Sequence, residues 1–269
     1  SAASDVYKRQ AYKQANRNPL GSAAGYGSSF PLNRTLTTRL LGFDSMTYNV
    51  VYAQMGRGKT ERNVAFALAS VAATLSKLAF DACLFNSQNF SFVKLPDSCT
   101  TGSSIMPHKK NPDVFELIRA KSNKLQALPE QIILVINNLP SGYFRDLQII
   151  KEVFLPAFDE LEDCLRMTTY IIQRMEVNAH ILDNPMYDPI FSVEEVNRLS
   201  AEGVPFRDAY KQVALQIAQG MYRTDKQIRH THEGSIGNLC NEEIKQLMQQ
   251  LLSAFHFERM EAAEKALLE

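Results

Sequence analysis

Cysteine is sparse in this chain: 269 residues hold four, Cys83, Cys99, Cys164 and Cys240. None stand at C-x-x-C spacing and nothing marks a secretory signal, so reduced thiols are expected rather than a disulfide framework. The five histidines lack a Cys partner pattern, which argues against a zinc site. His230 and His232 read as exposed loop histidines. An excess of either charge is also missing, with 29 Lys plus Arg against 29 Asp plus Glu. Neutralising a phosphate backbone needs a basic surplus, so nucleic acid is not the expected partner. A local basic patch for a small anion stays open. No apolar run reaches membrane-spanning length; the uncharged, mostly apolar stretch Asn63–Ser76 is short and carries Ser and Thr. No membrane partner is therefore expected. Alternating β-branched runs bounded by hairpin signals are absent too, which removes a sheet-based fold.

What remains is helical periodicity. Glu61–Phe85 reads as one long helix, with Ala65, Leu68, Ala72, Leu75, Ala79, Ala82 and Phe85 in a single apolar stripe. Phe66, Val71 and Leu78 add apolar surface elsewhere around it. A helix apolar on most sides belongs at the centre of a bundle or between subunits. Asn111-Pro112-Asp113 predicts a helix start, with Asn111 as N-cap and an acid against the dipole. That helix should run toward Asn137 and break at Pro129. Gln148–Val177 reads as a further long helix, kinked at Pro156, through Ile150, Val153, Ala157, Leu161, Leu165, Thr168, Ile171 and Met175. Near-heptad spacing favours long helices packed at shallow angles. Shorter helices are expected at Leu36–Leu41, Ser192–Ala201, Phe206–Gln219 and Glu242–Phe255. The fold class is all-α: a long-helix bundle with a small C-terminal helical domain. The expected division is a non-native leader at 1–10, a bundle at 11–184 and the small domain at 185–269.

Chemistry concentrates in Gly102-Ser103-Ser104-Ile105-Met106-Pro107-His108-Lys109-Lys110-Asn111-Pro112. Hydroxyls, ammonium groups and a carboxamide there lie on a segment punctuated by Gly and Pro, which suits a mobile loop gripping an anion. An ordinary polar connection between helices could share that composition. Gly58-Lys59-Thr60 suggests a phosphate-binding loop, but that pattern needs Gly where Ala53 stands, and a preceding strand.

The Gly102–Pro112 segment resembles the signature loop of the fumarase/aspartase superfamily, whose members release fumarate from a succinyl-bearing substrate. Tyr143-Phe144-Arg145-Asp146-Leu147-Gln148, with Lys151-Glu152, resembles the substrate-contacting segment of the argininosuccinate lyase family. Gly203–Tyr210 resembles that family's small C-terminal domain. The resemblance begins near Ala11, and Ser1–Gln10 match nothing in it. Family members are longer on the N-terminal side, so the expectation is a C-terminal portion of a longer enzyme, inactive by itself.

The resemblance implies roles. Ser103 would take a proton from carbon, Lys109 would face the charge developing on the adjacent carboxylate, and Asn111 would donate a hydrogen bond nearby. Ser104, Arg62, Tyr143, Gln148 and Lys151 would contact substrate. Glu116 would support a catalytic histidine that family members carry upstream of this region. Asn111 has a competing use as helix N-cap. No metal or organic cofactor is implied, and the expected location is the cytoplasm. The expected substrate is argininosuccinate, and the expected assembly a homotetramer with active sites shared between subunits. Ile149-Ile150 stand where many relatives carry an acidic pair. Two alternatives stay open: another fumarate-releasing lyase, such as adenylosuccinate lyase, and a crystallin-like structural protein on the same scaffold.

Overall fold

The computed structural model describes residues 2–228 and 230–269. They form two compact units, Ser1–Glu176 with Leu251–Glu269, and Val177–Gln250. The expected boundary after Asn184 therefore falls late. The last helix also groups with the bundle rather than with the small domain, because Arg259 pairs with Asp44 (2.6 Å) and Phe255 packs on Tyr12.

The larger unit begins with α1 (Ala2–Ala15), α2 (Arg34–Leu40) and α3 (Val50–Met55). Asn33 caps α2 by accepting from the Leu36 N–H (2.9 Å), and Asn49 caps α3 in the same way (2.8 Å). Strand β1 (Arg17–Asn18) lies parallel to β2 (Ser45–Met46), so the chain returns beside α1. Asn18 is fully buried there and its amide donates to the Thr38 hydroxyl (2.9 Å). Helix α1 overlaps the first ten residues, set aside above as a leader, and it packs on the long helix α4, where Gln14 bonds Asn63.

Helix α4 (Lys59–Phe85) is the spine. Its start is built by Glu61, whose carboxylate accepts from the Gly58 N–H (2.7 Å) and from Arg57 (3.3 Å). Ala65, Ala72 and Ala79 are completely buried at seven-residue spacing, so a neighbouring helix can approach closely. That neighbour is α5 (Asp113–Gln126), which buries Phe115, Ile118, Ser122 and Leu125 against the alanine stripe. The remaining elements are α6 (Leu128–Ile136) and α7 (Ile150–Ile172). The break between α5 and α6 falls at Ala127, with Pro129 in the first turn of α6, where its missing N–H costs nothing. In α7 the buried stripe runs Ile150, Ala157, Leu161, Cys164, Thr168, Ile171. Leu165, expected inside, is exposed, because Cys164 takes its place.

The expectation that α4 is buried on most sides is not met within one chain. Phe66, Phe80 and Leu84 are exposed on it, as are Leu117 of α5 and Leu155 of α7. Contrary to the sequence reading, α4 is also long and apolar enough to cross a membrane by length and composition alone. Its alanine seam packs on α5.

The smaller unit holds α8 (Ser192–Ala201), α9 (Phe206–Ala218) and most of α10 (Asn241–Ser253). Val196, Leu199, Ala209, Val213 and Tyr222 form its own core. His230, expected exposed, is half-buried and pairs with Glu194 (2.7 Å). Helix α11 (Phe257–Leu268), which the sequence did not predict, closes the larger unit.

Candidate active site

The signature loop is a hairpin. Strand β3 (Thr101–Gly102) pairs antiparallel with β4 (Lys110–Asn111), Thr101 opposite Asn111 and Gly102 opposite Lys110. Residues 103–109 project from this base, and Ser104, Ile105, Met106, His108 and Lys109 are all exposed. Ser103 is half-buried at the loop's root. Its Oγ accepts from the backbone N–H groups of Ile105 (3.2 Å) and Met106 (3.1 Å). A turn closed by Lys109 N–H on Met106 C=O (3.1 Å) shapes the far side. Two backbone donors on one hydroxyl oxygen would hold an alkoxide better than a neutral hydroxyl, since charge-assisted hydrogen bonds are about twice as strong.

The two lysines differ. Lys110 is ion-paired with Asp97, whose carboxyl is held below its usual range by the Lys110 hydrogen bond and charge. Lys109 has no ion pair among the described residues. Its charge is therefore free for a ligand.

The structure decides the Asn111 question against the cap. Pro112 is the residue at the N-cap position of α5, and no side chain caps that helix. Asn111 sits in β4 instead, which leaves its carboxamide uncommitted. Glu116 lies one turn into α5, exposed, near the end of α4, where it and Arg119 bear on the Cys83 thiol. Burial pushes that thiol up.

The remaining candidates lie elsewhere. Tyr143 precedes a short 3-10 turn (Arg145–Gln148), and Gln148 Nε2 approaches the Tyr143 hydroxyl (3.4 Å). Lys151 is exposed in the first turn of α7. Gln148 thus precedes the helix that holds Lys151, rather than sharing it as expected. Arg62 is half-buried in the first turn of α4. Gly58 ties these pieces together. Its φ of +78° suits glycine, and a β-carbon there would overlap Ile136 and touch Leu147 (3.5 Å). The start of α4 therefore abuts the Tyr143–Gln148 turn. Gly58→Ala should destabilise the complete protein by about 2–4 kcal/mol, from left-handed strain plus overpacking. A urea midpoint within error of the parent would contradict the close approach.

These two groups occupy opposite ends of the bundle. Helices α4 and α5 run antiparallel, since Ser76 Oγ meets Asn123 (2.6 Å) and Cys83 lies by Glu116 and Arg119. The loop feeding α5 is therefore at the C-terminal end of α4, while Arg62 and Leu147 are at its start. Rising 1.5 Å per residue, the helix between Arg62 and Cys83 spans about 30 Å. Ser103, Ser104, Lys109, Asn111 and Glu116 form one group, and Arg62, Tyr143, Gln148 and Lys151 the other. No single small substrate reaches both within one chain.

Sequence reasoning missed Asp97, Thr101 and Asp113. Thr101 Oγ1 bonds Asp113, so the hairpin base is tied on both sides. The only available signal was the Pro96-Asp97 turn, and Asp113 was credited with the helix dipole alone. Among the described residues no His, Cys, Asp or Glu group is arranged to hold a metal ion.

A family model described as "Lyase" matches residues 4–126, which takes in most of the segment set aside as a leader. Argininosuccinate lyase of Bacteroides thetaiotaomicron is 74% identical over 97% of the chain, and that of Bacteroides fragilis 73% over 98%. The chain belongs to the argininosuccinate lyase family. It spans about 59% of the length of those relatives. The fold matches EDDS lyase in complex with formate, at a TM-score of 0.72 and 23% identity, over 98% of this chain and 60% of that one.

Proposed function

We propose that the protein bearing this chain cleaves argininosuccinate to arginine and fumarate. The observation that carries the chemistry is the environment of Ser103: two backbone N–H groups on its oxygen, and on the same loop an ammonium with no ion pair among the described residues. The alkoxide of Ser103 takes the proton from the carbon next to a succinyl carboxylate. The freed electron pair moves onto that carboxylate, which becomes a dianion facing Lys109, with Asn111 donating alongside. The pair then returns to form the double bond of fumarate as the carbon–nitrogen bond breaks. The departing guanidino nitrogen is protonated by a histidine outside this chain, supported by Glu116. Ser104 contacts the substrate from the loop. Loop closure excludes water and strengthens each of these interactions.

Arg62, Tyr143, Gln148 and Lys151 hold substrate from another copy of the chain, because in one chain they lie a bundle's length from Ser103. The exposed apolar residues Phe66, Phe80, Leu117 and Leu155 suit burial against such copies, and a homotetramer with shared sites meets both needs. The reaction calls on no metal or organic cofactor, and its place is the cytoplasm.

Product analysis with the complete protein tests the reading. Incubation with argininosuccinate should yield fumarate and arginine in equal amounts, while adenylosuccinate yields none. Fumarate from adenylosuccinate alone would move the assignment to the other lyase. No turnover of either would favour a structural protein on this scaffold.

A further inference from the structure

We infer that Asp97 and Thr101 are positioning residues that pin the base of the signature hairpin and confine its motion to residues 103–109. The inference rests on the elimination chemistry proposed above and extends it to residues outside the loop. In an antiparallel pair, cross-strand partners share a face, and successive residues alternate between faces. Lys110 and Gly102 therefore share one face of the hairpin, and Asn111 and Thr101 the other. The two ties fall on different faces: Lys110 to Asp97, Thr101 to Asp113.

Both anchors stand on rigid parts. Asp97 opens a 3-10 turn held between Leu95 and Cys99, which are buried in the main core. Asp113 is the first residue of α5, whose next turn buries Phe115. The loop between the ties carries its apolar Ile105 in solvent, without a packing partner to fix it. Stiff base and free tip make a hinge of residues 102–103 and 109–110. Asp97 does a second thing. It draws the Lys110 ammonium to the face opposite Asn111, so that Lys109 alone answers the substrate carboxylate. Gly102, opposite Lys110, puts no side chain in its way, and among the described residues the ion pair of Lys110 is with Asp97.

The Asp97–Lys110 pair is exposed, and such pairs contribute little to global stability. The effect should be local. In the complete protein, Asp97→Asn should lower kcat about threefold with KM and melting temperature unchanged, and Asp97→Asn with Thr101→Val about tenfold. Amide exchange across residues 101–111 should speed by similar factors. The reversed pair, Asp97→Lys with Lys110→Asp, should restore both kcat and slow exchange. Parent-like kcat and exchange in Asp97→Asn would overturn the inference, as would a reversed pair no better than the single variant. The proposed function is judged apart, by whether the parent protein releases fumarate from argininosuccinate. If it does not, the exchange measurements still decide whether the ties hold the hairpin.

Discussion

Ser103→Ala in the complete protein should reduce kcat by at least about 10³-fold while leaving KM within a few-fold. The alanine side chain cannot accept a proton. Ser104 is a poor replacement: it is exposed beside Ser103, and among the described residues no backbone N–H donates to its hydroxyl. The Ile105 and Met106 N–H groups that meet at Ser103 Oγ would lose their acceptor, yet both sit in an exposed loop where water satisfies them. Stability should therefore hardly change. Substrate binding should persist as well, since the proposed contacts, Arg62, Tyr143, Gln148 and Lys151, lie at the other end of the bundle. Steady-state kinetics over a substrate series, with a melting curve on the same sample, measures all three. A variant that keeps a tenth or more of the parent kcat would remove Ser103 from the role of base.

The long helices were legible because their burial is local and periodic. The alanine and leucine positions of α4 recur at three- and four-residue steps, and the structure buries them against α5 as the spacing requires. In α7, expected over Gln148–Val177 and found over Ile150–Ile172, the misplaced core residue, Leu165 for Cys164, arose because both sit near the stripe and sequence favours the larger apolar residue. The helical start of the chain was not legible for a related reason. Helix α1 carries little apolar signal, and its packing on α4 is a tertiary contact that no local pattern encodes. Helix α11 was missed likewise: its anchor, the Arg259–Asp44 pair, joins residues far apart in sequence. At the site, the motif supplied the residue types but not their surroundings. That Lys110 is occupied and Lys109 is not depends on Asp97, thirteen positions before Lys110, brought back by the core seats of Leu95 and Cys99. Asn111 was ambiguous between cap and ligand contact. Only the helix beginning at Asp113 separates the two uses.

The separation of the two residue groups yields the second large effect. Lys109→Met should cost at least about 10²-fold in turnover, the scale of one lost oxyanion donor. Lys151→Met, which removes an ammonium from the opposite end, should cripple the enzyme through substrate binding. Each variant alone is then nearly silent. Coexpressed, they should recover activity. If every site takes its loop from one copy and its Tyr143–Lys151 segment from another, random mixing gives about a quarter of sites both intact parts, so activity should approach about a quarter of the parent. The arithmetic differs sharply if one chain supplies both parts. Each site would then carry one lesion or the other, and no mixture could exceed the average of the two silent variants. The roughly 30 Å of α4 between Arg62 and Cys83 leads us to expect the first result. Recovery requires nothing of either variant beyond folding and assembly. Coexpression that assembles mixed oligomers yet stays at the level of the single variants would mean that the two ends of the bundle never meet at one substrate.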